Sequence, residues 1–229
     1  MRVESSMAGL MEPMGKSQVG WWMLGAFLPS LLLAWCMLAI LGTAAPGTVF
    51  ALQVTARWAY IFFWLAYTGS ALATVCGPRL APLARRRREL GLAFAAAMVP
   101  HAALVAWLFY ILPTPPMSRA RIVYFGVALV LTYLLALLSI RCVSAKLTPA
   151  LSRRIRFLGV EYIALAFLRD FLRLPLHSSL PERLSYVPFI ALAVVATLLR
   201  LAHLFANRSW KFNDLPRGTR SIRHEGMTK

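Results

Sequence analysis

The chain has 229 residues, of which 59% are hydrophobic and 14% are charged. Soluble domains are nearer half apolar and a quarter charged, so this composition excludes a disordered chain and disfavours an ordinary soluble globule. Lys and Arg total 25 against 8 Asp and Glu, which gives a formal net charge of +17. Because the basic residues lie in short clusters between apolar runs, they fit the topology signal of a membrane protein, and no nucleic acid partner is expected.

The apolar runs predict an all-α integral membrane protein, a six-helix bundle. A helix needs about 20 apolar residues to cross the bilayer core. In chain order the predicted spans are residues 21–43, 53–76, 91–112, 122–140, 157–174 and 187–206. We expect residues 1–20 to form a loose N-terminal leader, residues 21–206 the transmembrane domain and residues 207–229 a basic cytoplasmic tail.

The basic residues between these spans predict the orientation. The second and fourth connections are rich in Lys and Arg, whereas the first has none and the fifth has only Arg183. Loops rich in Lys and Arg stay on the cytoplasmic side. Both termini are therefore expected in the cytoplasm, and the protein in a bacterial inner (plasma) membrane. The basic run of the second connection is interpreted as a topology determinant, with binding of anionic lipid head groups as the alternative; it comprises Arg85, Arg86, Arg87 and Arg88.

His101 lies within the third predicted span, directly after Pro100. At about 1.5 Å per residue it lies about 15 Å from the cytoplasmic end, near the middle of the bilayer. An ionisable side chain at that depth faces the interior of a bundle and marks either function or pairing. Three roles are open for His101: a ligand for heme or a metal, a proton relay, or an interhelical hydrogen-bonding partner.

The fifth predicted span is the least apolar of the six. Separations of seven and eight residues place Glu161, Tyr162 and Arg169 on one helical face. Asp170 can pair with Arg173 three residues later, or with His101 at a similar depth. We therefore expect a polar clasp between the third and fifth helices, formed by an intramembrane polar cluster of Glu161, Arg169, Asp170 and Arg173.

Two arginines and three cysteines receive structural interpretations. Arg57 and Arg200 lie near the ends of the second and sixth spans, and we expect their charged groups to extend toward the interface. Cys36, Cys76 and Cys142 are too few and too scattered for a disulfide framework or a zinc site, so they are interpreted as packing residues. No catalytic residue and no set of metal ligands is predicted.

Four short motifs occur in a fixed order along the chain. They are TARWA at residues 55–59, LGL at 90–92, LALLS at 135–139 and RRIRFL at 153–158. His101 follows Gly91 by ten positions, and Tyr162 follows the last motif. This order resembles the ferric reductase-like transmembrane domain family, in particular the heme-binding membrane subunits of bacterial periplasmic methionine-sulfoxide reductase systems. The resemblance covers roughly residues 50–175.

The resemblance implies a heme b between histidines on the third and fifth helices. His101 matches the ligand on the third helix. The ligand positions on the fifth helix fall at Leu158 and Phe171, and neither side chain has a lone pair that can coordinate iron. We therefore expect the fold of this family, with a degenerate heme site that lacks the ligands on the fifth helix.

Three functions follow as hypotheses. The first is a non-catalytic membrane subunit, or an assembly or partner-binding protein, that kept the fold and works beside membrane lipid and another membrane or redox protein. The alternative is a heme b-binding electron-transfer subunit of a membrane oxidoreductase, which would use His101. The third is a proton or solute transporter with Glu161, His101 and Asp170 as relay groups.

Overall fold

The computed structural model describes residues 16–140, 147–173 and 180–213, and these residues contain helices and no strand. The helices are α1 (Lys16–Leu41), α2 (Ala45–Cys76), α3 (Ala81–Arg85), α4 (Arg87–Ile111), α5 (Arg119–Leu138), α6 (Pro149–Arg173) and α7 (Leu180–Asn213). A single 3-10 turn, Pro78–Leu80, joins α2 to α3. The predicted all-α class is confirmed.

Five of these helices are long and apolar enough to cross a membrane, as a multi-pass membrane protein requires. The apolar segments are Gln18–Leu41, Ala45–Cys76, Arg87–Ile111, Arg119–Leu138 and Leu184–Ala202. They correspond to the predicted spans one to four and six. The predicted fifth span forms α6. At 25 residues α6 is long enough to cross a membrane, but it is not among the helices that are also apolar enough.

Several helix ends differ from the sequence-based boundaries. α1 begins at Lys16, so the last residues assigned to the leader are helical. α2 begins at Ala45, and Pro46 lies in its first turn. A proline suits this position because the backbone N–H groups of a first turn have no partner within the helix, and because the proline ring already fixes φ near the helical value. Most of the predicted loop at 44–52 is therefore helix. α7 ends at Asn213, so the predicted tail is helical at its start, and residues 214–229 lie outside the described residues.

Neighbouring helices run in alternating directions, as contacts at one end of the bundle indicate. The side chain of Arg87, at the start of α4, donates to the carbonyl of Ala66 near the end of α2, at 2.9 Å. Arg156, near the start of α6, donates to the carbonyl of Leu138 at the end of α5, at 2.7 Å. We call this end, which carries Arg85, the arginine end.

Contacts at the opposite end of the bundle also indicate that neighbouring helices run in opposite directions. Trp107, near the end of α4, donates from its indole nitrogen to the carbonyl of Thr43, just after α1, at 3.3 Å. Arg57 on α2 donates to the hydroxyl of Ser185 near the start of α7, at 3.1 Å. Its guanidinium carbon lies 4.2 Å from the ring centroid of Tyr186. Arg57 is thus held against α7 rather than extended toward the interface.

The centre of the bundle is an aromatic core between α2, α4, α6 and α7. The ring of Tyr60 lies 4.9 Å from that of Phe167 and 4.8 Å from that of Phe171. Phe63 lies 5.2 Å from Phe94 and 5.6 Å from Phe167. Such centroid distances are typical of well-packed aromatic pairs, so this space is filled by side chains.

α1 packs on α4 through small residues. Ala26, Ala93 and Ala97 are fully buried, and the hydroxyl of Ser30 donates to the carbonyl of Ala97 at 2.8 Å. Small side chains let helix backbones approach closely, which is the usual basis of helix association in lipid.

Gly47 provides a test of the tight connection between α1 and α2. A Cβ atom at Gly47 would collide with the carbonyl oxygen of Gly42 and lie 2.9 Å from the carbonyl oxygen of Leu41. We expect Gly47→Ala to lower the free energy of unfolding by about 1–3 kcal/mol, measured by titrating detergent-solubilised protein with a denaturing detergent. The control is Gly126→Ala on α5, where nothing lies within 4 Å. It should raise stability by about 0.5–1 kcal/mol, and equal losses in both variants would contradict the packing described.

Candidate functional site

An ion pair joins α6 to α7 inside the bundle. Nε of Arg200 lies 2.9 Å from Oε1 of Glu161, and the hydroxyl of Tyr67 on α2 donates to Oε2 at 2.8 Å. The two charged side chains are only 16% and 29% exposed, respectively. Both carboxylate oxygens therefore have a partner, and Glu161 connects α2, α6 and α7.

Arg200 also lies against aromatic rings. Its guanidinium carbon is 5.6 Å from the ring centroid of Tyr67 and 5.7 Å from that of Phe157. The expectation that Arg200 extends toward the interface is wrong, because Glu161 provides a closer partner. Sequence alone held one usable signal: Arg200 lies within an apolar span and needs a counterion, and Glu161 is an acidic residue of a neighbouring span.

A cavity of about 600 Å³ opens beside this ion pair at the arginine end. Its lining residues come from α2, α3, α4, α5, α6 and α7, and they include five arginines: Arg85, Arg87, Arg88, Arg156 and Arg200. Phe63, Tyr67, Phe94 and Phe157 supply aromatic surface to the same cavity. We call it the arginine cavity. The run from Arg85 to Arg88 is evident in the sequence, whereas no sequence signal predicted that Arg156 and Arg200 would line the same cavity.

The hydrogen bonds of the cavity arginines differ in kind. Arg87 donates to the carbonyl of Ala66 at 2.9 Å and to the hydroxyl of Ser70 at 3.3 Å. Arg88 donates to the carbonyl of Ser139 at 3.1 Å, and Arg156 donates to a carbonyl of α5. These acceptors are neutral. Within the described part of the chain, the carboxylate that contacts a cavity arginine is Glu161.

His101 is partly buried and faces α2. Its Nδ1 atom lies 3.2 Å from the hydroxyl oxygen of Thr55. That hydroxyl is also 2.9 Å from the carbonyl oxygen of Ala51. Of the three roles considered for His101, this contact matches the interhelical hydrogen-bonding partner. It differs from the predicted pairing with Asp170 on α6.

The predicted polar cluster of α6 divides between two sides of the helix. The hydroxyl of Tyr162 donates to the carbonyl of Tyr124 on α5 at 3.1 Å, and the guanidinium carbon of Arg169 lies 4.5 Å from the Tyr124 ring centroid. Tyr162 and Arg169 thus face α5, whereas Glu161 faces α2 and α7. The predicted shared face is wrong for Glu161, because one residue rotates an α-helix by about 100°. Asp170 is partly buried, and the side chain of Arg173 lies outside the described residues.

The residues that the sequence resemblance places at a heme position do not fit a heme. Phe171 is 1% exposed and packs in the aromatic core, whereas Leu158 is 65% exposed on the outside of α6. Between α4 and α6, the rings of Phe94 and Phe167 lie 6.0 Å apart. Of the four histidines, His101 has the only described side chain, and its described contacts lie on α2.

The cysteines and acidic residues are the remaining potential metal ligands. In the described segments, no group of three or more His, Cys, Asp or Glu could hold a metal ion. Cys36 is partly buried, which is compatible with packing, but Cys76 is exposed at the end of α2. Its interpretation as a packing residue is wrong, because the last three residues of α2 are all exposed. Cys142 lies outside the described residues.

The fold and these contacts define an all-helical, multi-pass membrane protein with a charged cavity at one end. No family model, no curated protein and no solved structure matches this chain. The functional conclusion therefore depends on the geometry of the site.

The Glu161 and Arg200 pair gives a test of this arrangement. We expect a double-mutant cycle with Glu161→Gln and Arg200→Gln to yield a coupling of about 1–2 kcal/mol in the free energy of unfolding, because each single variant leaves a partly buried charge without its partner. The control cycle pairs Glu161→Gln with Arg154→Gln, since Arg154 is exposed. Its coupling should be close to zero. Equal couplings would show that the ion pair is not the source.

Proposed function

We propose that this protein is a ferric reductase-like, six-helix membrane protein that has lost the heme and acts as a non-catalytic subunit. The observation that carries the proposal is Phe171. The side chain at the family's ligand position packs against Tyr60 and Phe189, at centroid distances of 4.8 and 5.7 Å. A core filled with rings leaves the fold intact without a cofactor.

The same contacts support α6 as a sixth membrane-crossing helix. Its 25 residues span about 37 Å, which exceeds the hydrocarbon core of a bilayer. Two of its charged groups have partners on neighbouring helices: Glu161 pairs with Arg200, and Arg169 lies over Tyr124. Pairing lowers the cost of charges at membrane depth, so low hydropathy does not prevent α6 from crossing.

Basic residues concentrate at one end of the bundle, which supports a cytoplasmic location for that end and for both termini. The connection between α2 and α4 carries Arg79 as well as the run from Arg85 to Arg88, and the start of α6 carries three further arginines. The connection between α4 and α5, at the other end, has fewer basic residues. The positive-inside rule gives this orientation, and the resemblance to bacterial membrane subunits favours the inner membrane of a bacterium.

The alternatives receive less support from the geometry. An electron-transfer subunit needs two axial ligands, and His101 faces Thr55 instead of α6. A proton relay needs neighbouring groups. Glu161 and His101 bind Tyr67 and Thr55, which are twelve residues and therefore about 18 Å apart along α2. The proposed role is consequently binding, beside membrane lipid, of another membrane or redox protein.

Heme content tests this proposal. Protein purified from cells supplied with a heme precursor should contain far less than one heme per chain by pyridine hemochrome assay, because no second axial ligand faces His101 among the residues that the structure describes. His101→Ala should leave the spectrum unchanged and cost about 0.6–2 kcal/mol of stability through the lost contact with Thr55. A stoichiometric Soret band that disappears in His101→Ala would overturn the proposal.

Cysteine labelling tests the six-helix topology. In a variant lacking the native cysteines, an impermeant maleimide added to spheroplasts should label Thr114→Cys, between α4 and α5, and should label Arg79→Cys only after lysis. Ser178→Cys, between α6 and α7, should label like Thr114→Cys if α6 crosses the membrane. Labelling of Ser178→Cys only after lysis would leave α6 on the cytoplasmic side.

A further inference from the structure

The arginine cavity concentrates positive charge from separate parts of the chain. Arg85, Arg87 and Arg88 come from the segment that joins α3 to α4, whereas Arg156 comes from α6 and Arg200 from α7. A topology determinant requires only basic residues in a loop. It does not require guanidinium groups from three segments to line one cavity of about 600 Å³.

The cavity arginines outnumber the carboxylates near them. Five arginines line the cavity, whereas the nearby carboxylates are Glu161, which pairs with Arg200, and Glu89, which follows Arg88 in the chain. Arg87, Arg88 and Arg156 donate to neutral carbonyl or hydroxyl oxygens, and each uses only one or two of its five N–H donors in these bonds. The cavity thus offers several charge-assisted donors to an anion, and guanidinium groups match phosphate oxygens in a bidentate geometry.

Apart from Thr132 and Ser139, the rest of the cavity lining is apolar. Phe63 and Phe94 belong to its lining, and both are buried members of the aromatic core. Thr132 and Leu135 contribute the α5 side. A small, fully hydrated anion makes no favourable contact with such a surface. An alkyl or acyl chain lowers its free energy when it leaves water and contacts this surface.

Two of the cavity arginines lie at the starts of spans, where lipid headgroups meet the hydrocarbon core. Arg87 is the first residue of the apolar segment Arg87–Ile111, and Arg156 directly precedes the predicted fifth span, residues 157–174. Cationic side chains at the ends of spans commonly reach the headgroup level. The cavity therefore has hydrogen-bond donors where a lipid headgroup would lie and aromatic surface where its hydrocarbon chain would lie.

We infer that the arginine cavity is a binding site for an anionic membrane lipid, whose phosphate contacts Arg88 and Arg156 and whose apolar chain lies toward Phe63 and Phe94. A soluble phosphorylated molecule shares the phosphate but lacks the chain. The inference does not depend on the absence of heme, nor on which side of the membrane the arginine end faces.

The test uses the full chain in nanodiscs of zwitterionic phosphatidylcholine. Dioleoyl phosphatidic acid is added in increasing amounts, and native mass spectrometry counts the phosphatidic acid molecules bound to each chain. We expect saturable binding of one phosphatidic acid. Arg88→Gln with Arg156→Gln should weaken that binding at least about tenfold, because charge-assisted hydrogen bonds are lost. The matched control, Arg79→Gln with Arg154→Gln, removes the same charge from exposed positions outside the cavity lining and should change it little.

A second pair of variants keeps every arginine and fills the space instead. Gly91 lines the cavity, and nothing lies within 4 Å of a Cβ atom built there. Gly91→Leu should therefore fold, because leucine is a better helix former than glycine, and should block the lipid. Gly126→Leu, at an equally open position on α5 outside the cavity lining, should bind as the unmodified chain does.

The outcomes separate the sources of phosphate. Binding of phosphatidic acid with no measurable binding of sn-glycerol 3-phosphate or inorganic phosphate supports a lipid site. Equal affinity for the lipid and for sn-glycerol 3-phosphate would overturn it in favour of a soluble ligand. Equal losses in the two double arginine variants, or full binding in Gly91→Leu, would overturn it in favour of general surface attraction. Heme content does not enter any of these results, so the two proposals can fail separately.

Discussion

The ion pair between Glu161 and Arg200 holds two partly buried charges between the helices of the bundle. A partly buried charge left without its partner is costly, and here both carboxylate oxygens have one. Tyr67 donates to the second carboxylate oxygen, so three helices meet at one group. This pairing lets α6, the least apolar of the long helices, lie among its neighbours. The position of α6 in turn fixes the aromatic core on one side of it and the contacts with Tyr124 on the other.

The aromatic core fills the centre of the bundle with side chains. An unfilled space of that kind would cost stability in proportion to its volume. Here the space between α4 and α6 holds Phe94 and Phe167, and Phe171 is buried beside them. His101 contacts the hydroxyl of Thr55 and links α4 to α2. The same residues thus serve packing and helix pairing.

The strongly basic composition has two consequences that are compatible with each other. Arginines in the connections between spans orient the chain in the membrane, and this requires only their number. Their arrangement adds a local field, because Arg88 and Arg156 line one cavity with Arg85, Arg87 and Arg200, and these arginines outnumber the nearby carboxylates of Glu89 and Glu161. Low-dielectric aromatic walls strengthen that field. A signal used for insertion can therefore also form a site for an anion at the headgroup level.

The sequence determined the features that depend on composition along the chain. Runs of apolar residues set the helical class and the positions of the apolar spans, and basic clusters marked one end, because hydropathy and charge are properties of short segments. It did not determine which side chains meet. Glu161 is far in sequence from Arg200, and its neighbour Tyr162 faces another helix. Only the tertiary structure decided three further features. These are the burial of Phe171, the contact of His101 with Thr55 and the position of Arg156 in the lining of the arginine cavity. Pairing depends on the rotation of each helix and on which helices are neighbours, and in lipid the apolar surface is too uniform to encode either.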